Sequence, residues 1–490
     1  MDSTKVSSFM LNKQSVRVCY RLAESLKNNP NPHLTNVAKT DADRKAFMRL
    51  LSNKNLTEEY IQFEFIGKSR ESMKVVEEKL LAFHDTSEVV LNKQRNRLTD
   101  KEGLGPGGRE TNLSVFLHMA LLYGRESFHY HGLGGIQLYN RYKNRVTCKE
   151  AENRNTGHFR GEITRWKINV EETESALKII NDLIDILHVC DREGDVYPMM
   201  ESFFRQHIKF LIRSRTDRRA TIWEDGKKIP LCDVFEHYPA DFETTETVKS
   251  SRKKLNGKKL VIRSKKVTFA VPKSCKYVLG EPRPKPMTIN VIEVFEKGKG
   301  FSKSAARKRS RTKKDHDDET ISWRLLTNEE INSEEELLEL VLCYRKRWLI
   351  ETYFKYLKSD GFDIENICLK TGKAIRKMIL MAISASDKVL KLKEAGLNQD
   401  NETPATSIFT EDEVEVLDLI FKQYLKGESQ SPSLRNPFTS KSIAWAYWII
   451  ARLGGFNGAV KKTRHAVSVK KIGLGLERFI FMYDGYRSLN

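Results

Sequence analysis

The chain has 490 residues, of which 39% are apolar and 31% charged, a length for about three domains and a composition that excludes a wholly disordered chain. Its 85 lysines and arginines exceed its 65 aspartates and glutamates, and the net charge of +20 indicates a polyanionic partner such as nucleic acid rather than a merely basic soluble protein. The longest apolar runs, at 378–385 and 443–451, are too short to span a membrane, and seven scattered cysteines without a CxxC pair favour a reducing cytoplasm over a disulfide framework or a zinc site.

The first 60 or so residues predict short helices. Residues 11–27 place apolar and basic side chains at helical spacing, NNPNPH at 28–33 breaks the pattern, and 41–62 resumes it. This segment fits a small DNA-binding unit and a plain helical lead-in equally well.

From residue 79 onward, strands alternate with helices. Apolar runs predict strands at 80–84, 114–123, 126–134, 185–190 and 208–214. Helical periodicity covers 170–183 and 197–206, and GLGPGG at 103–108 is a loop without the Lys-Ser/Thr of a phosphate-binding loop. The alternation indicates an α/β layer around a central sheet.

Residues 216–322 are strand-like, proline-containing and strongly basic, with most of the charge in the runs 249–266 and 297–314. We interpret them as an inserted β-rich domain with a basic, mobile hairpin, since blocks of like charge repel one another. Residues 332–359 then predict one long helix that begins with a capping box of Ser333 and Glu336. The chain is helical from 370, and an apolar helix at 443–456 stops at Gly454.

Two aspartates follow predicted strands. Asp85 follows LLAFH and Asp191 follows ILHVC. Side chains at the carboxyl ends of strands project into the crevice where α/β proteins bind ligands, and two carboxylates there repel each other unless a cation neutralises them. The alternative is that each aspartate caps the turn that follows it.

The predicted helix 332–359 carries one polar stripe about 80° wide, formed by Tyr344, Arg347, Glu351, Lys355 and Lys358. Its opposite side carries Leu342, Trp348 and Leu349, which we expect to pack into the core. One carboxylate among three cations and a phenol suits a metal ligand set among phosphate contacts. The alternative is a solvated face with an ordinary Arg347–Glu351 pair one helical turn apart.

The segments AFHDTSEV, CDREGD and YRKRWLIETYFKYLK resemble the three catalytic segments of the insertion-sequence-four family of bacterial DDE transposases, above all the transposon-five type. The family signature Y-(2)-R-(3)-E-(6)-K is met by Tyr344, Arg347, Glu351 and Lys358. Segments at 45–57, 103–124, 162–167, 321–328 and 443–458 resemble further family regions in the same order. One departure is Gly194, where the family more often has Ala.

The resemblance implies a fold with a ribonuclease-H-like α/β catalytic core, an inserted β-rich domain, and helical N- and C-terminal domains. The expected division is a DNA-end-binding domain at 1–70, core at 71–215, the insertion at 216–322, core again at 323–370, and a dimerisation domain at 371–490. We expect the apolar helix WAYWIIARL at 445–453 to be partly interface and partly core.

The resemblance also implies the chemistry. Asp85, Asp191 and Glu351 become the catalytic, metal-binding triad for two Mg²⁺ ions, with Mn²⁺ as a substitute, about 3.5–4 Å apart. Such enzymes cut one strand at each transposon end, form a hairpin, reopen it and join the 3′ ends to target DNA. They act as homodimers on terminal inverted repeats, and we expect this one in the bacterial cytoplasm, associated with the nucleoid.

DNA contacts are implied at further positions. Trp323 matches the tryptophan that receives a flipped base, against the alternative of a core tryptophan on a strand. The remaining contacts are expected at Tyr344, Arg347, Lys355, Lys358, Arg213, Arg215 and Arg192. Arg213 and Arg215 have the alternative of a solvated strand edge. Two rival functions stay open: a catalytically inactive, domesticated transposase that only binds DNA, and a metal-dependent nuclease without strand transfer.

Overall fold

The computed structural model describes residues 11–67, 70, 73, 76–141, 162–214, 219–223, 226–248, 256–273, 282–299, 301, 321–425, 435–458 and 467–489. In this part of the chain no helix is long and apolar enough to cross a membrane.

Twelve strands among the described residues form one mixed sheet. They are β1 (Leu80–Val90), β2 (Gly105–Pro106), β3 (Leu113–Gly124), β4 (Tyr130–Tyr139), β5 (Ile186–Cys190), β6 (Lys209–Arg213), β7 (Ala220–Ile222), β8 (Lys228–Pro230), β9 (Phe242–Thr247), β10 (Lys259–Phe269), β11 (Met287–Glu296) and β12 (Ser322–Thr327). Their order is β2-β3-β1-β5-β6-β12-β11-β10-β7-β8, with β4 paired to β3 and β9 to β10.

The helices follow the chain order. They are α1 (Lys13–Asn28), α2 (Leu34–Val37), α3 (Asp41–Ser52), α4 (Glu58–Ile61), α5 (Glu162–Ile180), α6 (Tyr197–Arg205), α7 (Val234–His237), α8 (Glu334–Lys346), α9 (Trp348–Lys355), α10 (Gly372–Asn398), α11 (Glu411–Leu419), α12 (Ile443–Leu453) and α13 (Val469–Leu489). The predicted α/β class is confirmed, as a mixed α/β structure.

The centre of the sheet has a defined polarity. β1 and β5 are parallel, as are β5 and β6, whereas β3 runs antiparallel to β1 and β4 antiparallel to β3. A mixed sheet of this order is consistent with the ribonuclease-H-like core that the resemblance implies. Side chains alternate along β1 and β5, so that Leu81 and Leu187 enter one buried cluster while Ala82 and Ile186 enter another. We call the face of Leu81 and Leu187 the front of the sheet, and the other face the back.

Strands from the predicted insertion extend this same sheet. β11 pairs with β12, and β10 pairs with β11, so the strands between 220 and 296 lie in continuity with β6 and β12. Many of their cations are matched by acids: Arg263 lies 2.8 Å from Glu293, and Lys266 lies 2.7 Å from Glu330. Most of the basic run 297–314 lies outside the described residues.

The helices at the two ends of the chain pack together around α10. α1 and α3 contact α10 from the N-terminal side, and α12 and α13 contact it from the C-terminal side. The ammonium group of Lys377 on α10 donates to the backbone carbonyl of Leu51 at 3.1 Å. The apolar side chains of α12, Trp445 and Trp448 among them, are buried within the chain itself, so a contact between protomers would use other side chains.

The helix predicted at 332–359 is divided. α8 ends at Lys346, α9 begins at Trp348, and a wider π-helical turn follows at Tyr356–Asp360. Arg347 interrupts the helix because its N–H bonds to the carbonyl of Tyr344, three residues back. Ser333 caps α8 as predicted, but the carboxylate of Glu336 accepts from Asn332 at 2.8 Å, so only half of the predicted capping box forms.

Candidate active site

Asp85 lies in the middle of a strand, not at its end. The run LLAFH continues to Val90 because β1 pairs with β3 along its whole length. The parallel pairing of β1 with β5, however, covers only Leu80 to Phe83. Beyond this point β1 has lost its neighbour on one edge, so Asp85 lies on the front face beside the gap where β5 has ended.

Asp191 lies at that gap, directly after β5. Its Oδ1 accepts a hydrogen bond from the backbone N–H of Glu193 at 2.8 Å and caps the short 3₁₀ helix Arg192–Gly194. The capping alternative is therefore realised for Asp191. The same side chain also shares the front face with Asp85, because both follow the alternation of Leu81 and Leu187.

Arg347 joins two of the three predicted carboxylates. Its Nη1 donates to Oδ2 of Asp85 at 3.0 Å, and its Nη2 donates to Oε1 of Glu351 at 2.7 Å. The pair with Glu351 is the ordinary helical pair that the sequence offered as the alternative, whereas the pair with Asp85 spans 262 residues of sequence. The break at Arg347 thus lies where one guanidinium bridges helix and sheet.

The closeness of the acids in the site affects the pKa values of Asp85 and Arg347. Burial raises the pKa of Asp85 to about 7; the guanidinium of Arg347 works against this, and the carboxylate of Asp191 adds to it. Burial opposes the charge of Arg347, but Asp85, Tyr344 and Asp191 together raise the pKa of its guanidinium above the ordinary value. A buried carboxyl beside a second acid is an environment that a bound cation stabilises.

The donor chemistry fits a divalent ion, because carboxylate oxygens are what Mg²⁺ prefers and the two strand acids share one face. Within the described residues, though, no group of three histidine, cysteine, aspartate or glutamate side chains is arranged to hold a metal. Positive charge at Asp85 and Glu351 comes instead from Arg347. Metal binding would therefore require Arg347 to release these carboxylates.

Trp323 and Tyr344 form an aromatic pair beside the acids. Their ring centroids lie 5.7 Å apart in an edge-on arrangement, and the guanidinium of Arg213 lies 5.9 Å from the Trp323 ring. Burial raises the pKa of Tyr344, while Arg213 and Arg347 lower it. Trp323 is partly buried and packs against the core, so its ring is neither fully enclosed nor freely exposed to solvent.

The predicted cations occupy different environments. Lys355 is exposed at the end of α9, and Lys358 lies 3.7 Å from the carboxylate of Glu365. Arg192 is half-buried in the turn after Asp191. Arg215 lies outside the described residues.

The expectation for the far side of the helix was wrong at two positions. Leu342 is 37% exposed and Trp348 is 57% exposed, while Tyr344 from the polar stripe is buried. Tyr344 and Arg347 of this stripe face the sheet, where they contact Trp323 and Asp85, and Leu342 and Trp348 lie outward. An exposed tryptophan three residues before Glu351 is a feature of the site that sequence reasoning placed in the core.

Sequence reasoning also missed a buried polar chain on the back of the same strands. His84 and His188 contact each other through Nε2 and Nδ1 at 2.8 Å, His84 Nδ1 lies 3.1 Å from Asn169, and His188 Nε2 lies 3.1 Å from Glu174. All four ring nitrogens therefore have partners. Strand alternation was the available signal, since His84 and His188 must face away from Asp85 and Asp191.

Gly194, where the family that the sequence resembles more often has alanine, is required by local packing. A methyl group here would lie 2.8 Å from Cβ of Cys190, closer than side-chain carbons approach in folded proteins. The turn after Asp191 is therefore packed tightly against the end of β5.

Two comparisons with known proteins were found. A family model described as "Transposase DDE domain" matches residues 169–386, a range that includes Asp191 and Glu351 but not Asp85. Among solved structures, the chain is similar to a cryo-EM structure of the piggyBac transposase synaptic complex with hairpin DNA, at 8% identity and a TM-score of 0.36 over 86% of this chain and 74% of that one. This structural likeness is too low to bear on fold or function. The family match over residues 169–386 supports a DDE transposase.

Proposed function

We propose that this protein is a cut-and-paste DNA transposase of the insertion-sequence-four family, transposon-five type. It binds terminal inverted repeats as a homodimer, cuts DNA by metal-dependent phosphoryl transfer through a hairpin intermediate, and joins the 3′ ends to target DNA. The observation that carries the proposal is the meeting of Asp85, Arg347 and Glu351 beside Asp191 at the open edge of β1.

Asp85, Asp191 and Glu351 would hold the divalent ions, which supply Lewis acidity for an in-line displacement at phosphorus. Arg347 then exchanges its two carboxylate partners for a DNA phosphate, a ligand that its planar fork binds equally well. The burial of Asp85 keeps the local dielectric low, so charge contacts to the reacting phosphate are stronger than in water.

Trp323 would hold a base expelled from the stack when the hairpin forms. A hairpin bends the DNA sharply, and unstacking a base costs a few kcal/mol unless an aromatic ring receives it. Arg213 and Tyr344, in contact with this ring, fix its orientation. Lys355, which is exposed on the same helix as Glu351, adds a phosphate contact.

The first experiment is cleavage of a labelled DNA that contains the element's own end, with Mg²⁺, on a denaturing gel. We expect nicks and hairpins with wild type, neither with Glu351→Gln, and unchanged cleavage with Glu330→Gln, a surface glutamate whose partner is Lys266. DNA binding without cleavage by wild type would replace the proposal with a DNA-binding relic. Nicks without joined products would replace it with a nuclease.

The role of Trp323 has its own test. Trp323→Ala should nick at the wild-type rate but form hairpins about 5- to 150-fold more slowly, since about 1–3 kcal/mol of stacking is lost. The matched control is Trp223→Ala, which removes a half-buried tryptophan stacked on Tyr238 in the outer part of the sheet. Hairpins at the normal rate with Trp323→Ala would rule out the base pocket.

A further inference from the structure

A group of exposed cations lies beyond the carboxyl end of β1. Its members are Lys93, Arg95, Arg97, Arg109 and Lys370, and all five are exposed to solvent. We call them the basic loop surface. They come from the segment after β1 and from the segment before α10, which lie far apart in the sequence.

Specific contacts hold these two segments together. Lys93 Nζ donates to the side-chain oxygen of Asn366 at 3.0 Å, and Arg97 Nη1 lies 3.5 Å from Sγ of Cys368. The backbone N–H of Thr99 donates to the carbonyl of Lys370 at 2.9 Å. The guanidinium of Arg95 donates to the carbonyl of Thr111, two residues from Arg109. The five cations therefore share one surface.

These cations differ from others on the same molecule. Among the residues that the structure describes, none of the five forms an ion pair with a carboxylate. By contrast, Lys45 lies 2.9 Å from Asp41, and the neighbouring Lys373 lies 2.7 Å from Glu102. Adjacent unpaired cations repel one another, and a polyanion that releases counterions on binding relieves that repulsion.

The surface is connected to the active site. From Asp85 to Val90, β1 advances by about 17 Å, the length of about five base pairs of duplex. The backbone N–H of Val90 donates to Glu365 at 3.1 Å, and Lys358 lies 3.7 Å from the same carboxylate. Lys358 thus stands between Glu351 and the basic loop surface.

The surface also lies on a defined side of the site. In the sheet, β5, β6 and then β12 with Trp323 follow β1 in one direction, whereas β3 and β2 with the glycine-rich loop follow in the other. The proposed hairpin closes on the transposon end, so the expelled base at Trp323 belongs to that end. The DNA on the other side of the cut phosphate is then directed toward the basic loop surface.

We propose that the basic loop surface binds the backbone of the duplex that flanks the transposon end, about five or more base pairs beyond the cut. This inference rests on the proposed function, because that function defines which phosphate is cut. The contact is to phosphates and so independent of flanking sequence. It holds the flanking duplex in place during the first cut and plays no part once that duplex is gone.

The test compares end-containing DNA with flanks of 3 and 15 base pairs, and a pre-cut end, in gel-shift binding and cleavage. The variants are Lys93→Glu with Arg97→Glu, and the milder Lys93→Gln with Arg97→Gln. The control is Lys441→Glu with Lys470→Glu, which reverses two exposed cations elsewhere. Far-ultraviolet circular dichroism and melting curves verify that each variant is folded.

We expect wild type to bind the long flank more tightly than the short one. The Glu variant should bind the long flank about tenfold more weakly, with the salt slope reduced by about 2, and should match wild type on the short flank and the pre-cut end. The Gln variant should fall between them, and the control should behave as wild type.

Three outcomes would overturn the inference: a Glu variant that equals the control on every substrate, one that is equally impaired on the short flank, or one impaired only in joining a pre-cut end to target DNA. The last would assign the surface to target DNA. Binding that depends on flank length without any cleavage by wild type would sustain the surface and remove the proposed function.

Discussion

The two faces of β1 and β5 carry polar residues that are neighbours in sequence but are stabilised in different ways. On the front, Asp85 and Asp191 are acids brought together with Arg347 as the main counter-charge. On the back, His84 and His188 are fully enclosed, with every ring nitrogen partnered and Asn169 and Glu174 closing the chain.

The difference shows what each face is built for. Burial lowers the pKa of His84 well below its usual value and that of His118 to about 3, so both rings stay neutral inside the core. On the front, burial and the neighbouring Asp191 raise the pKa of Asp85, so that its ionised form lowers the stability of the folded protein. The same two strands thus carry a site with a destabilised carboxylate on one face and the buried core that supports it on the other.

The strongest test of this contrast is Asp85→Asn. We expect cleavage to fall by about a thousandfold or more, because the variant loses a charge at the reacting centre. We also expect the metal-free protein at pH 8 to be more stable, by up to about 4 kcal/mol, since a carboxyl with its pKa raised from 3.8 to about 7 no longer has to ionise. Urea unfolding measures the second effect, with Asp182→Asn as the exposed control. A less stable variant would contradict the assigned strain.

The converse test is His188→Ala on the back face. It removes a buried ring and its contacts with Nε2 of His84 and Oε1 of Glu174, so the free energy of unfolding should fall by about 3 kcal/mol. Cleavage per folded molecule at 25 °C should stay within about threefold of wild type. His237→Ala, at an exposed histidine, is the control. Intact stability with lost cleavage would place the back face in the chemistry and end the comparison.

The smallest expected effect is in the pH dependence of stability. His118 is buried, with Nδ1 2.8 Å from the hydroxyl of Thr86 and its pKa lowered from 6.5 to about 3. Unfolding lets this ring take up a proton, so its contribution is present above pH 6.5 and is lost as the pH falls from 6.5 toward 3. At pH 4.5 the loss is about 2–3 kcal/mol.

His118→Phe should therefore flatten the stability profile between pH 6.5 and 4.5 relative to wild type, whatever its effect at neutral pH. Urea unfolding across this range gives the profile directly. An unchanged slope would mean that another group governs acid unfolding.

Most local elements could be predicted from the sequence. Continuous apolar runs located β3, β5 and β6, and the helix that follows Ser333 was placed by its cap. The motif resemblance singled out Asp85, Asp191 and Glu351, and the family model matches a range, 169–386, that includes the last two. These features depend on residues close in the chain, where periodicity and spacing carry the information.

The tertiary structure decided what local patterns leave open. Periodicity shows that Tyr344 and Arg347 share one side of a helix, but not whether that side faces solvent; their partners on the sheet turned it inward and left Trp348 exposed. It likewise could not show that Arg347 reaches Asp85 across 262 residues, or that cations around Arg97 and Lys370 share a surface. Such contacts join segments that are distant in sequence, and only the packing of the whole chain fixes them.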